Sequence, residues 1–230
     1  MNIDPGFAII WFVVFLFSLS FHEAAHAWTS EKFGDYTGRY QGRITLNPVA
    51  HIDPIGTLLF PIMSMLTSIP FLGWAKPVET NPLLWRDKKK ANISVSAAGP
   101  ISNFILMGIA FIALKSMVIG GVLTIKSGAS LPYDVLGPMP GQPAFMEPLT
   151  MFLSVFLILN LSLGIFNLIP IPPLDGSHVL ESLLPPAMAE AYEQIRPYGF
   201  LLLMALLFFG VLGFIIFPAS RFLWLMILGD

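Results

Sequence analysis

The sequence predicts an all-α polytopic membrane protein with four to five transmembrane helices, a re-entrant segment and a short β-hairpin near the candidate active site. Three observations predict it. The 230-residue chain is 55% hydrophobic and only 11% charged, whereas soluble domains carry about 25% charged residues. Apolar segments long enough to cross a bilayer recur from end to end. The connectors between them are rich in Pro, Gly and basic residues. The length suits one compact domain over residues 1–230.

About 20 apolar residues span the hydrocarbon core as a helix. Residues 6–28, 92–120, 150–169 and 199–217 meet that length. The tail 221–229 is apolar but too short to span. The first span resembles a signal-peptide core followed by Ala25-His26-Ala27, but no Lys or Arg precedes it, so it is expected to stay uncleaved. Residues 34–50 mix β-formers with turn residues and read as a short hairpin or strand pair. Segment 55–74 is apolar but interrupted by Gly56, Pro61, Pro70 and Gly73, directly after Pro54. Irregular backbone at membrane depth must be buried in protein or line a cavity, which favours a re-entrant reading over a fifth span. Residues 121–149 read as an irregular Gly- and Pro-rich loop, a candidate lid. Residues 170–198 open on three prolines and hold a short helix.

With 55–74 re-entrant, Lys32, Arg39, Arg43, Lys76, Arg86, Lys88, Lys89, Lys90 and Arg196 share one side. That is nine of the twelve basic residues. Excess Lys and Arg mark the cytoplasmic side, so the N-terminus is expected outside and the polar connectors inside, at a cell (plasma or inner) membrane. A net charge of −2 excludes nucleic-acid binding as the main role. The chain has no cysteine, so a metal site must use His, Asp or Glu.

Such a site is suggested by Phe21-His22-Glu23-Ala24-Ala25-His26, at the end of the first span. His22 and His26 are four residues apart on a helix and project from one face. That spacing lets two imidazoles hold one zinc ion. Glu23 is rotated away from both and suits a general base. Ionisable groups at a bilayer centre cost about 2.5–3.5 kcal/mol each on insertion scales, and a shared cation would compensate three together. Two histidines leave a catalytic zinc one protein ligand short. His51, Asp53, Asp134, Glu147, Asp175 and His178 are the candidates near apolar segments. Asp175 ends the run Asn167-Leu-Ile-Pro-Ile-Pro-Pro-Leu-Asp175-Gly176. On composition alone, an inward-directed carboxylate and a plain turn leaving the membrane are equal readings of it.

These two motifs, with Ala97-Ala98-Gly99-Pro100-Ile101-Ser102-Asn103 between them, resemble the site-2 protease family of intramembrane zinc metalloproteases. The resemblance covers residues from about 6 to 185 and is closest to the compact prokaryotic branch without a PDZ domain. The Gly-Arg-Ile-Thr-Leu-Asn-Pro and Gly-Trp-Ala-Lys-Pro connectors look like that branch too. It implies one Zn2+ held by His22, His26 and Asp175, with Glu23 as general base and Asn167 as oxyanion donor. It also implies transmembrane protein substrates, cleaved in or near their spanning segments in the lipid bilayer. A substrate must expose an extended stretch, because a helix hides its carbonyls, and the 34–50 strands would pair with it by edge addition. Asn103 would orient a ligand, contact substrate or pack helices. His51 and His178 would be supporting groups. A catalytically silent membrane-protein-binding homologue and a metal transporter stay open as alternatives. Zinc content and cleavage by the wild type and Glu23→Gln separate them.

Overall fold

The computed structural model describes residues 4–67 and 73–229. Helix α1 spans Pro5–Lys32 and α2 Thr37–Tyr40. A 3-10 turn follows at Pro48–His51, then a wide helical turn at Pro54–Leu59 that runs into α3, Phe60–Thr67. Helix α4 is Lys88–Ile119, and strands β1, Leu123–Ser130, and β2, Asp134–Pro138, follow. The remainder is helical: α5 Met146–Asn167, α6 Asp175–Leu183, α7 Pro186–Glu193, a 3-10 turn Arg196–Tyr198, α8 Gly199–Phe208 and α9 Val211–Leu228. Among the described residues four helices, α1, α4, α5 and α9, are long and apolar enough to cross a membrane. The chain is an all-α polytopic membrane protein with one small hairpin.

It divides into two compact units, and α1, α4, α5 and α9 contribute residues to both. The first comprises Met1–Phe15, Phe104–Ser162 and Gly213–Asp230. Its hairpin pairs Leu123 with Pro138, Thr124 with Gly137 and Ile125 with Leu136, then Ser130 with Asp134 across an irregularity. Leu123, Val135 and Leu136 are its buried hydrophobic residues. Lys126 ties it down, with Nζ 2.8 Å from Asp134 Oδ1 and 2.6 Å from Glu147 Oε1. Trp224 Nε1 donates to the Pro132 carbonyl at 2.9 Å.

The second unit comprises Leu16–Asn103 and Leu163–Leu212. Its most polar knot surrounds Asp35, which is 1% exposed. Asp35 Oδ1 accepts from Thr37 N–H (3.0 Å) and Thr37 Oγ1 (2.5 Å). Oδ2 accepts from Ser30 Oγ (2.9 Å) and Asn81 N–H (2.8 Å). Trp85 Nε1 donates to the same Ser30 hydroxyl at 2.7 Å. The end of α1 is thereby fastened to the approach to α4, where Trp85, Ala91 and Val95 pack with Phe33. Asp87 caps α4 by accepting the Lys90 N–H at 3.1 Å, the usual role of an N-cap carboxylate.

The apolar segment after Asp53 leaves and returns to the same place. Asp53 starts it by accepting the Ile55 and Gly56 N–H groups, at 3.0 and 2.7 Å. Trp74 N–H then donates to the Gly56 carbonyl at 3.1 Å, and Thr57 Oγ1 donates to the Trp74 carbonyl at 2.7 Å. The rings of Phe60 and Trp74 lie 5.1 Å apart, edge to face. The chain that departs at Gly56 is therefore back beside it at Trp74. Residues 68–72 of this segment lie outside the described residues.

Three expectations are corrected. Residues 34–50 form no strand: α2 and the 3-10 turn occupy them, and their polar groups go to local turns and to the Asp35 knot. The hairpin is built instead from 123–138, within the segment expected to be an irregular loop, and it belongs to the first unit. The β-branched and alternating residues Val122 to Ile125 and Asp134 to Leu136 were its overlooked signal. The third correction concerns the C-terminus. The helix expected over 199–217 breaks at Phe209-Gly210, and the spanning helix is Val211–Leu228. Gly210 has φ +68°, a left-handed conformation that ends a helix and that residues with a Cβ adopt at a cost.

Asp35→Ala should cost about 1–3 kcal/mol, because four donors around it lose their acceptor. Burial pushes the Asp35 carboxyl up, but hydrogen bonds from Thr37, Asn81 and Ser30 outweigh it and hold the group below the ordinary value of 3.8. A depressed folded-state value stabilises above the unfolded value and stops doing so as pH falls through the folded one. Thermal unfolding in detergent should show the gap between wild type and Asp35→Ala wide at pH 7 and closing below 3.8.

Candidate metal centre

The site lies in the second unit, where the last turns of α1 meet the first half of α4 and the start of α6. His22 and His26 are 5% and 9% exposed. Their Nε2 atoms lie 3.0 Å apart. Asp175 Oδ2 is 3.2 Å from His22 Nε2, and Oδ1 is 3.4 Å from His26 Nε2. The three residues form a group that could hold a metal ion, with ligand atoms all within 4.8 Å of one another.

Protonation states explain why a cation is needed there. His26 Nδ1 lies 2.7 Å from the Val95 carbonyl oxygen. A carbonyl cannot donate, so Nδ1 must carry the hydrogen and a neutral imidazole keeps its lone pair on Nε2. His22 Nδ1 donates to Asn103 Oδ1 at 2.7 Å, with the same result. Two lone pairs and a carboxylate then face one another in a buried space. Asp175 Oδ2 makes no hydrogen bond despite its short distance to His22. A single proton would satisfy one pair of these atoms, whereas a metal ion satisfies all three. Hydrogen bonds from the far nitrogens to Asn103 and Val95 fix both rings, the usual support for metal-binding histidines.

The space for an ion depends on Gly99 in α4. A Cβ at that position would sit 2.4 Å from His26 Nε2 and 2.5 Å from His22 Nε2. Helix α4 thus presents bare backbone to the imidazoles. It runs through Pro100 from Lys88, about one turn earlier than the sequence suggests. Helix α6 is held against α4 by Asn92, whose Nδ2 donates to Ser182 Oγ at 2.7 Å, so the helix that begins with Asp175 has a fixed seat.

Glu23 points into the same cavity of about 820 Å³ as the histidines, Asp175 and Asn167. Its Oε2 accepts the Val78 N–H at 2.8 Å. Asn167 Nδ2 donates to Leu163 O at 3.0 Å, within its own helix, and an amide carries a second N–H. His178, one turn after Asp175, lines the cavity 3.8 Å from Glu181 Oε2. His51 is 2% exposed and its Nε2 donates to the Thr45 carbonyl at 3.0 Å. The other candidate carboxylates are engaged elsewhere: Asp53 caps the turn that follows it, and Asp134 and Glu147 hold Lys126.

Four participants escaped sequence reasoning. The Val95 carbonyl and Val78 N–H are backbone groups and leave no trace in residue type. Gly99 was visible as a small residue in a motif, but the need for it became clear only with the rings above it. Arg43 was counted only as a charge.

Peptidase family M50 matches the chain over residues 10–209. The "Putative zinc metalloprotease YwhC" of Bacillus subtilis is 35% identical over 206 residues, covering 90% of this chain and 83% of the relative. The "Putative zinc metalloprotease Rip2" of Mycolicibacterium smegmatis is 30% identical, over 88% of this chain and 68% of the relative. The Rip2 protein of Mycobacterium tuberculosis strain H37Rv is 28% identical, over 85% and 68%. No solved structure matches significantly. The chain belongs to peptidase family M50. It is a zinc metalloprotease with the apolar helices of a multi-pass membrane protein.

Gly99→Ala should fold yet bind no stoichiometric zinc, since its methyl group takes the space between the rings. Asn103→Ala should keep the fold and lower zinc affinity about 10–100-fold, the usual loss when a supporting partner of a histidine is removed. Competition with a chelator of known affinity, followed by metal analysis, measures both.

Proposed function

We propose that the protein is an intramembrane endopeptidase of one functional domain, hydrolysing peptide bonds in or beside the transmembrane segments of other membrane proteins. The observation that carries this reading is the meeting of His22, His26 and Asp175 at the end of a helix long and apolar enough to cross a bilayer. His22, His26 and Asp175 would hold one zinc ion. Bound there, zinc supplies Lewis-acid chemistry, polarising a carbonyl and making water acidic enough to lose a proton near neutral pH.

The chain's own residues do the rest. The Glu23 carboxylate takes a proton from the attacking water and returns it to the departing amine, as a general base and then acid. Its bond to the Val78 N–H holds it in place beside the histidines. Asn167, on the same cavity wall, donates its second N–H to the oxygen that gains negative charge. The substrate enters extended, because helical hydrogen bonds hide backbone carbonyls. Helix-breaking residues near its cleaved bond therefore favour reaction.

The active site faces the cytoplasm at the cell membrane. All nine basic residues assigned to the inner side fall in the unit that holds the histidines. Lys115, Lys126 and Arg221 fall in the other. That asymmetry is the one expected of a cytoplasmic face.

Purified wild type and Glu23→Gln should each hold one zinc in proteoliposomes. Wild type should cleave a single-span substrate, and Glu23→Gln should lose at least about a hundredfold, the lower range for a general base. Asp175→Ala should lose both zinc and cleavage. Equal cleavage by wild type and Glu23→Gln would refute the assignment.

A further inference from the structure

We infer that Arg43 is a positioning residue for Glu23, acting through the backbone of residues 76–78; the catalytic part of this inference rests on the function proposed above. Arg43 is 5% exposed, an unusual burial for a guanidinium. It is spent on backbone: Nη1 donates to the Ala50 carbonyl, and Nη2 to the Lys76 carbonyl and, at 2.7 Å, to the Pro77 carbonyl. The His51 carbonyl accepts the Lys76 N–H at 2.9 Å, so the 48–51 turn and the 76–78 segment are held side by side. The next N–H along the chain, that of Val78, is the one that binds Glu23.

The other end of the device returns to the helix that bears Glu23. Arg43 N–H donates to the Gly38 carbonyl at 2.8 Å. Gly38 packs on Ala27 of α1 so closely that a Cβ there would lie 2.9 Å from the Ala27 methyl. Ala27 is four residues after Glu23 and shares its face. A closed ring results: Glu23, Ala27, Gly38, Arg43, the 76–77 carbonyls, the Val78 N–H, and Glu23 again. Every link is a contact or a hydrogen bond, and Arg43 is the link with several donors. A planar guanidinium can reach three carbonyls at once; an ammonium, as a compact point charge, cannot reproduce that fork. Without it, the 76–78 backbone loses its registration and Glu23 its fixed orientation. A misplacement of about 1 Å in a catalytic group costs on the order of a hundredfold in rate.

The test uses the full chain in proteoliposomes. Arg43→Lys keeps the charge and removes the fork. Its kcat should fall about 10–100-fold, with KM within about twofold and zinc content unchanged. Val78→Pro removes the N–H that Glu23 accepts and also fixes the backbone angle there, so its loss should be at least as large. The double variant should be no worse than the poorer single one, because both break the same link. Hydrogen exchange gives a readout that needs no substrate: the Lys76, Val78 and Glu79 amides should exchange at least tenfold faster in Arg43→Lys, with the amides of residues 22–26 unchanged. Wild-type kcat in Arg43→Lys would overturn the inference. So would loss of zinc together with rate, multiplicative losses in the double variant, or unaltered exchange at 76–79. The exchange result stands even if Glu23→Gln cleaves like wild type, so failure of this inference and failure of the proposed function are distinguishable.

Discussion

Everything about this fold answers to one electrostatic difficulty. Two imidazole lone pairs lie 3.0 Å apart in the protein interior, each within 3.4 Å of an oxygen of one carboxylate. Left to themselves these atoms repel, and burial removes the water that would screen them. A cation at their centre turns the conflict into attraction, and the surrounding structure keeps its place open. Helix α1 fixes the two rings one turn apart. Helix α4 offers an acceptor to each far nitrogen and withholds a side chain at Gly99. Helix α6 starts with the carboxylate itself. An enzyme of peptidase family M50 has zinc as the natural occupant.

Around that centre, the work is divided between helices and connectors. The helices supply the two imidazoles and the carboxylate that could hold a metal ion, because a helix holds side chains at fixed angles. The connectors supply backbone donors and acceptors. The segment that leaves at Gly56 returns at Trp74 and brings Trp74, Ala75, Pro77 and Val78 to the cavity wall. There the Val78 N–H meets Glu23. A buried arginine spent wholly on carbonyl groups is a costly arrangement unless the backbone it orders has a task. Aiming a carboxylate is such a task.

Much of this was legible in the sequence, and the reason differs by element. The spanning helices α1, α4 and α5 were readable because bilayer thickness sets a length and composition that few other structures share. The irregular course of the segment after Asp53 was readable from its Pro and Gly, whose freed backbone groups need protein neighbours. The histidine pair was readable because helical spacing is a local property. Asp175 was not readable from composition, since its approach to His22 spans more than a hundred residues and depends on packing. The strand reading of 34–50 failed because Asp35 captures the local N–H groups that a ladder would use. The split at Phe209-Gly210 was missed because a lone glycine in an apolar run looks the same whether it lies inside a helix or ends one.

The contact between His26 and Val95 has a bearing on how such proteins diverge. The acceptor is main chain, so every amino acid that keeps α4 helical supplies it equally well. Position 95 can change to any residue that still packs with Trp85, Ala91 and Phe33 while the support its carbonyl gives stays constant. An alignment would flag Asn103 and pass over Val95, although the two hold equivalent rings at the same distance of 2.7 Å. Half of what steadies the histidine pair is therefore inherited as shape, with no letter of the sequence assigned to it.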